Sequence, residues 1–103
     1  MRRIILSETA RNQLEALLIQ GLPKFGAALM AEMRDRVADT IRDRLAPYPA
    51  TKKRNRKLGL FVLTLRRPPF AIVYDFDDDE LRIYFIVHAH ADLRRLDPTQ
   101  VVW

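Results

Sequence analysis

The most regular pattern of apolar and polar positions lies in residues 70–90, FAIVYDFDDDELRIYFIVHAH. Two apolar runs, residues 70–76 and 81–87, flank the acidic run Asp77-Asp78-Asp79-Glu80. Their β-branched and aromatic residues fit a pleated, half-buried surface, which predicts two strands of a hairpin. Alternation puts Phe70, Ile72, Tyr74 and Phe76 on one face of the first strand. In the second it groups Leu81, Ile83, Phe85 and Val87 on one face, and Arg82, Tyr84, Ile86 and His88 on the other. Both faces carry apolar residues, so the hairpin is expected at the centre of a sheet covered on both sides. The turn has no Asn-Gly signal, which points to a four- or five-residue loop, read as a solvated acidic tip.

Upstream, Ile4-Ile5-Leu6 predicts a short strand over residues 2–6. Ser7 follows as a natural helix N-cap, with Glu8 placed to favour the positive end of the helix dipole. Ala10, Leu14, Leu17, Leu18 and Gly21 then recur at helical spacing, and Gly21 and Pro23 are expected to end this helix. A second helix is predicted over residues 25–45, where Leu29, Met33, Val37, Ile41 and Leu45 repeat every four residues and Met30 widens the stripe. Pro47 and Pro49 stop it. Two amphipathic helices joined by a few residues make an antiparallel helical hairpin.

A further strand is predicted over residues 58–65, with Leu58, Leu60, Val62 and Thr64 on one face and Phe61, Leu63 and Leu65 on the other. Arg66-Arg67-Pro68-Pro69 links it to the central hairpin, outside the ladder because proline has no N–H. After residue 90, Asp92 is placed to cap a short helical turn, and Val101-Val102-Trp103 form an apolar tip that either docks on the body or meets a partner. The order of strand, two helices and three strands predicts an α+β domain: an N-terminal strand and an antiparallel helical hairpin packed on an antiparallel β-sheet.

At 103 residues the chain is expected to form a single domain with one modest core. There is no cysteine, which excludes disulfides and thiolate metal sites. No uninterrupted apolar run reaches the roughly 20 residues of a membrane helix, and the residues after Arg2-Arg3 are too short for a signal core. A cytoplasmic protein without a membrane partner is the default expectation. The formal net charge of +5 suits an anionic partner.

The charge is concentrated in two places. Lys52, Lys53, Arg54, Arg56 and Lys57 form a basic loop, and Arg66 and Arg67 follow the next strand. An eight-residue strand would separate the two groups by roughly 25 Å. Either group would neutralise phosphates, or stay a solvated charge run. His88 and His90 are the two histidines, close in sequence to Arg94 and Arg95, and Arg82 is expected on the His88 face. An imidazole beside guanidinium groups is suited to acid–base cleavage of RNA; the alternative is a structural His88 and an exposed His90. His-x-His lacks a third ligand, and the acidic run lacks a calcium-loop spacing, so no metal is expected. Without a glycine-rich phosphate loop, no cofactor is expected either.

The chain resembles the RelE/ParE superfamily of bacterial toxins over nearly its whole length. The resemblance lies in the N-terminal strand running into Ser7-Glu8-Thr9-Ala10, the leucine-rich and second helices, the basic loop, and FAIVYDFDDDELRIYFIVHAHADL. It implies a growth-inhibiting toxin of a type II toxin–antitoxin module, held inactive by a small, acidic, partly disordered antitoxin in a hetero-oligomer. RelE-like members cleave mRNA on the ribosome with basic residues and often a C-terminal tyrosine; ParE-like members poison DNA gyrase. No tyrosine follows Tyr84, and His88-Ala89 with Asp92-Leu93 looks more like the ParE pattern. The resemblance therefore favours a gyrase poison. A ribonuclease using His88 and a non-toxic antitoxin-binding domain are the alternatives.

Overall fold

The computed structural model describes residues 2–51 and 54–103. Strand β1 (Arg3–Leu6) leads into helix α1 (Glu8–Thr40), which continues as one π-helical turn, Ile41–Leu45. Strands β2 (Arg54–Asn55), β3 (Leu60–Thr64), β4 (Phe70–Phe76) and β5 (Glu80–His88) follow. They form one sheet in the order β1-β5-β4-β3-β2.

The predicted helical hairpin is present, with its reversal at another residue. The chain stays helical through Gly21 and Pro23 and breaks at Gly26, whose φ of 80° and ψ of 165° divide α1 into arms 8–25 and 27–40. Pro23 removes one donor, but reversal needs a backbone conformation that only glycine adopts readily. Gly21 serves close packing between the arms. A Cβ there would lie 2.5 Å from the Met30 sulfur. The helical segment Glu8–Leu45 is long and apolar enough by composition to cross a membrane. The fold at Gly26 makes it two short arms, whose outer positions Ile19, Leu22, Phe25 and Leu29 are exposed.

The sheet is mixed, where an antiparallel one was expected. β3, β4 and β5 alternate in direction, but β1 pairs with β5 in parallel, Arg3 opposite Glu80 and Leu6 opposite Ile83. Parallel neighbours need a long crossover, and the chain between β1 and β5 supplies one. β3 is shorter than predicted. Leu58 lies in a turn, and Arg54–Asn55 of the expected loop pairs with Leu60 and Phe61 as β2.

Both sheet faces are covered. Ala10, Val37, Ile41 and Leu45 from the helical side pack on Leu63, Ile72, Tyr74, Leu81, Ile83 and Ile86. On the other face Leu60, Val73 and Phe85 lie under Leu93, Leu96 and Val101 of the tail. The apolar tip docks on the body: Val102 N–H donates to Thr9 Oγ1 at 2.9 Å, and the Trp103 ring meets Tyr84 edge-on at 4.8 Å.

Strict alternation fails inside β5. Val73 pairs with Phe85 but Tyr74 pairs with Ile83, so Tyr84 is the extra residue of a β-bulge. Ile86 therefore joins Leu81 and Ile83 under the helices, while Tyr84, Phe85 and Val87 face the tail. This overturns the expected grouping of Phe85 and Val87 with Leu81, and of Ile86 with Arg82.

The start of α1 satisfies this irregular edge. β1 stops at Leu6, and Ser7 N–H donates to the Ile83 carbonyl at 3.1 Å. The Ser7 hydroxyl, fully buried, accepts from Ala10 N–H at 2.9 Å and donates to the Tyr84 carbonyl at 2.8 Å. Gln13 Oε1 accepts from Ile86 N–H at 3.0 Å. Ser7→Ala removes the cap and strips the Tyr84 carbonyl of this partner, so urea unfolding is expected to show a loss of about 1–3 kcal/mol. Gly26→Ala meets no atom within 4 Å. Its expected cost of about 1–3 kcal/mol is therefore backbone strain, measured by the same unfolding curve.

Candidate functional site

The predicted site residues fall into separate groups. Arg82 sits at the base of the β4–β5 turn and is held by three carboxylates. Its Nε donates to Asp75 at 2.7 Å, and its Nη1 donates to Asp77 at 2.9 Å and Glu80 at 3.1 Å. The Tyr84 hydroxyl donates to the other Asp75 oxygen at 2.9 Å, and Arg3 donates to Glu80. The Arg82 hydrogen bond, then the Asp79 and Glu80 amides, hold the Asp77 carboxyl down at about 2. Arg3 and then Arg82 lower Glu80. Burial pushes the Tyr84 hydroxyl up. The acidic run is thus more than a solvated tip: it neutralises an arginine that the sequence offers as a target-binding group.

His88 ends β5, and its ring lies 5.4 Å from that of His90. Nδ1 of His88 accepts from the His90 backbone N–H at 3.1 Å, which leaves Nε2 to carry the proton in the neutral ring. Alternation beyond the bulge puts His88 on the Ile86 side, away from Arg82 and Tyr84, which corrects the expectation that the three share a face. Arg94 donates through Nε and Nη2 to Asp92 at 3.0 and 3.1 Å, and Arg95 lies 4.0 Å from the same carboxylate. Asp92 is held below the usual range mainly by Arg94, with a smaller contribution from Lys57. Among the described residues, no three His, Cys, Asp or Glu side chains converge as a metal site.

The basic positions also divide. Lys52 and Lys53 lie outside the described residues. Arg54 lies over the Phe61 ring at 5.1 Å, while Arg56 and Lys57 are exposed in the β2–β3 turn. Arg66 and Arg67 lie past the far end of β3, beside α1. There they share a groove of about 470 Å³ with Arg36, Thr40 and Arg44. Neither Arg36 nor Arg44 stood out as a candidate in the sequence. The available signal was the spacing of residues 36, 40 and 44, which repeats every four residues along one helical stripe.

A second groove, of about 340 Å³, is apolar. Ile4 and Leu6 of β1, Leu14 of the first arm, Val37 and Ile41 near the end of the helix, and Ile86 line it, with Arg34 and Arg42 also in its lining. It runs between the helical hairpin and the edge strand of the sheet.

A helical hairpin on one face of a five-stranded mixed sheet, with β1 parallel to the last strand, is the RelE/ParE-like fold. The chain is similar in structure to a solved protein described as "Chromosomal ParDE TA system from P. aeruginosa", with a TM-score of 0.77 and 17% identity. The likeness covers 87% of this chain and 98% of that one. No protein-family model matches the sequence, and no curated protein matches it.

The turn network makes a pH prediction. The Asp77 pKa is lower in the folded chain than the ordinary 3.8, so its contribution to stability is present above about pH 4 and fades as pH falls toward 2. Arg82→Gln is expected to flatten that dependence, read from thermal melts across the acid range.

Proposed function

We propose that this chain is the toxin of a type II toxin–antitoxin module. The observation that carries the reading is the fold likeness to a ParDE system, which spans nearly all of both chains. It agrees with the resemblance in the sequence, from Ser7-Glu8-Thr9-Ala10 to Asp92-Leu93.

For the target, the reading is DNA gyrase rather than mRNA. General acid–base cleavage of RNA needs an imidazole and cationic groups around one phosphate. Here Arg82 is bound to three carboxylates, Arg94 is bound to Asp92, and the bulge turns His88 away from Arg82. The sheet face that carries Tyr84 and Val87 is packed under the tail. These arrangements support a toxin that acts by binding.

The antitoxin is read as an acidic segment that is partly disordered when free. It would lay an amphipathic helix or strand in the apolar groove between β1 and the hairpin, with its carboxylates toward Arg34. The pair would work in the cytoplasm as a hetero-oligomer.

Inducing the chain without an antitoxin in growing bacteria tests the reading. Early loss of thymidine incorporation with leucine incorporation preserved is the expected result, and purified protein should inhibit gyrase supercoiling. His88→Ala is expected to leave growth inhibition unchanged. Early loss of leucine incorporation that disappears with His88→Ala would replace this reading with ribosomal mRNA cleavage. Harmless induction together with tight antitoxin binding would leave only the antitoxin-binding role.

A further inference from the structure

We propose that the groove between the second helical arm and the β3–β4 link binds the phosphodiester backbone of a nucleic acid. The proposal stands on the groove and is independent of the toxin reading.

Four guanidinium groups converge there from two elements. Arg36 and Arg44 come from the helical segment, and Arg66 and Arg67 from the link. Arg36 and Arg44 are eight residues apart on one stripe, about 12 Å along the axis, so they can meet different phosphates of one strand. Arg44, Arg66 and Arg67 are exposed and have no carboxylate partner among the described residues, and Met1, Lys52 and Lys53 bring none. Arg36 pairs with Glu32 at 2.9 Å, but both side chains are more than half exposed, so the pair is weak and can open. The groove contains one carboxylate, Asp39, and Arg42 takes it at 2.8 Å.

Elsewhere Arg3, Arg42, Arg82 and Arg94 each pair with a carboxylate, while Arg2, Arg11, Arg34, Arg54 and Arg56 have none among the described residues. What sets the groove apart is that three unpaired arginines and Arg36 line one concavity, and such a place attracts a polyanion. Arginine forks match phosphate oxygens, so these four side chains suit a phosphodiester chain.

Leu65 is the single apolar side chain in this lining. An apolar groove of about 300 Å³, lined by Phe25, Leu29, Met33 and Pro68, adjoins it through Arg36 and Arg67, and the four arginines favour a phosphodiester in the basic groove itself. The apolar groove beside β1 lies on a neighbouring face of the same helix, where Val37 and Ile41 point. A nucleic acid on one face and a protein segment on the other would not compete for side chains. The groove's lining holds no aromatic ring on which bases could stack, and contacts to phosphates alone predict binding without sequence preference.

The test is fluorescence anisotropy of the full chain with a labelled oligonucleotide of mixed sequence, single-stranded and duplex, over a salt series. The triple variant Arg44→Gln/Arg66→Gln/Arg67→Gln is expected to bind roughly 10-fold or more weakly, and its slope against log salt on duplex should fall by about 2.7. The variant Arg54→Gln/Arg56→Gln/Lys57→Gln removes the same charge outside the groove and is expected to lose much less. Equal losses in the two would mean that net charge alone binds, and would overturn the proposal. Asp39→Lys adds a cation without removing one. It is expected to tighten binding and steepen the slope, and no change in either would count equally against the site. Tighter binding of polyglutamate than of the oligonucleotide, lost with the same three arginines, would assign the groove to an acidic protein segment instead.

Discussion

The fold depends on how the start of α1 meets the edge of β5. A β-bulge at Tyr84 interrupts that strand just where its parallel neighbour β1 ends. Backbone groups left there would be buried without partners, at about 1–3 kcal/mol each. Ser7 and Gln13 supply the partners, and the Ser7 hydroxyl caps the helix in the same contact. One buried side chain therefore fixes where β1 stops, where the helix starts and how the helix sits on the sheet. The tail is tied to the same place, through Thr9 to Val102 and Tyr84 to Trp103.

The bulge also determines what the sheet can do chemically. It moves Ile86 into the core beneath the helices and carries His88 to that side, leaving Arg82 and Tyr84 on the other. A strand read with strict alternation would gather His88, Arg82 and Tyr84 into one surface suited to cutting RNA. The actual register disperses them, and the acidic turn then neutralises Arg82. The cationic surface that remains is assembled elsewhere, where two turns of the second arm pass the link after β3. Along the same helix, Val37 and Ile41 line the groove beside β1, while Arg36 and Arg44 line the groove beside the link.

Much of the architecture was legible in the chain. The four-residue repeat from Leu29 to Leu45 marks the second arm, Ser7 marks the start of the first, and the apolar runs around the acidic turn mark β4 and β5. The reversal was misplaced because Gly21 and Pro23 are the stronger punctuation in sequence, while Gly26 carries the φ of 80° that reversal needs. Gly21 instead lets the Met30 side chain lie close across the hairpin, which no local pattern announces. The fold class followed from the order of elements, but the direction of β1 did not. A short apolar strand carries no local mark of whether its neighbour runs with it or against it.

The sequence by itself determined the two helical arms and the cores of β1, β3, β4 and β5, which residues are apolar enough for the core, and where cations are dense along the chain. These are properties of local propensity and periodicity, read within a few residues. Tertiary structure alone decided the bulge, the fate of Arg82 and the meeting of Arg36 and Arg44 with Arg66 and Arg67. Each depends on backbone register or on groups from distant parts of the chain, and a side chain's role follows from the partner it meets.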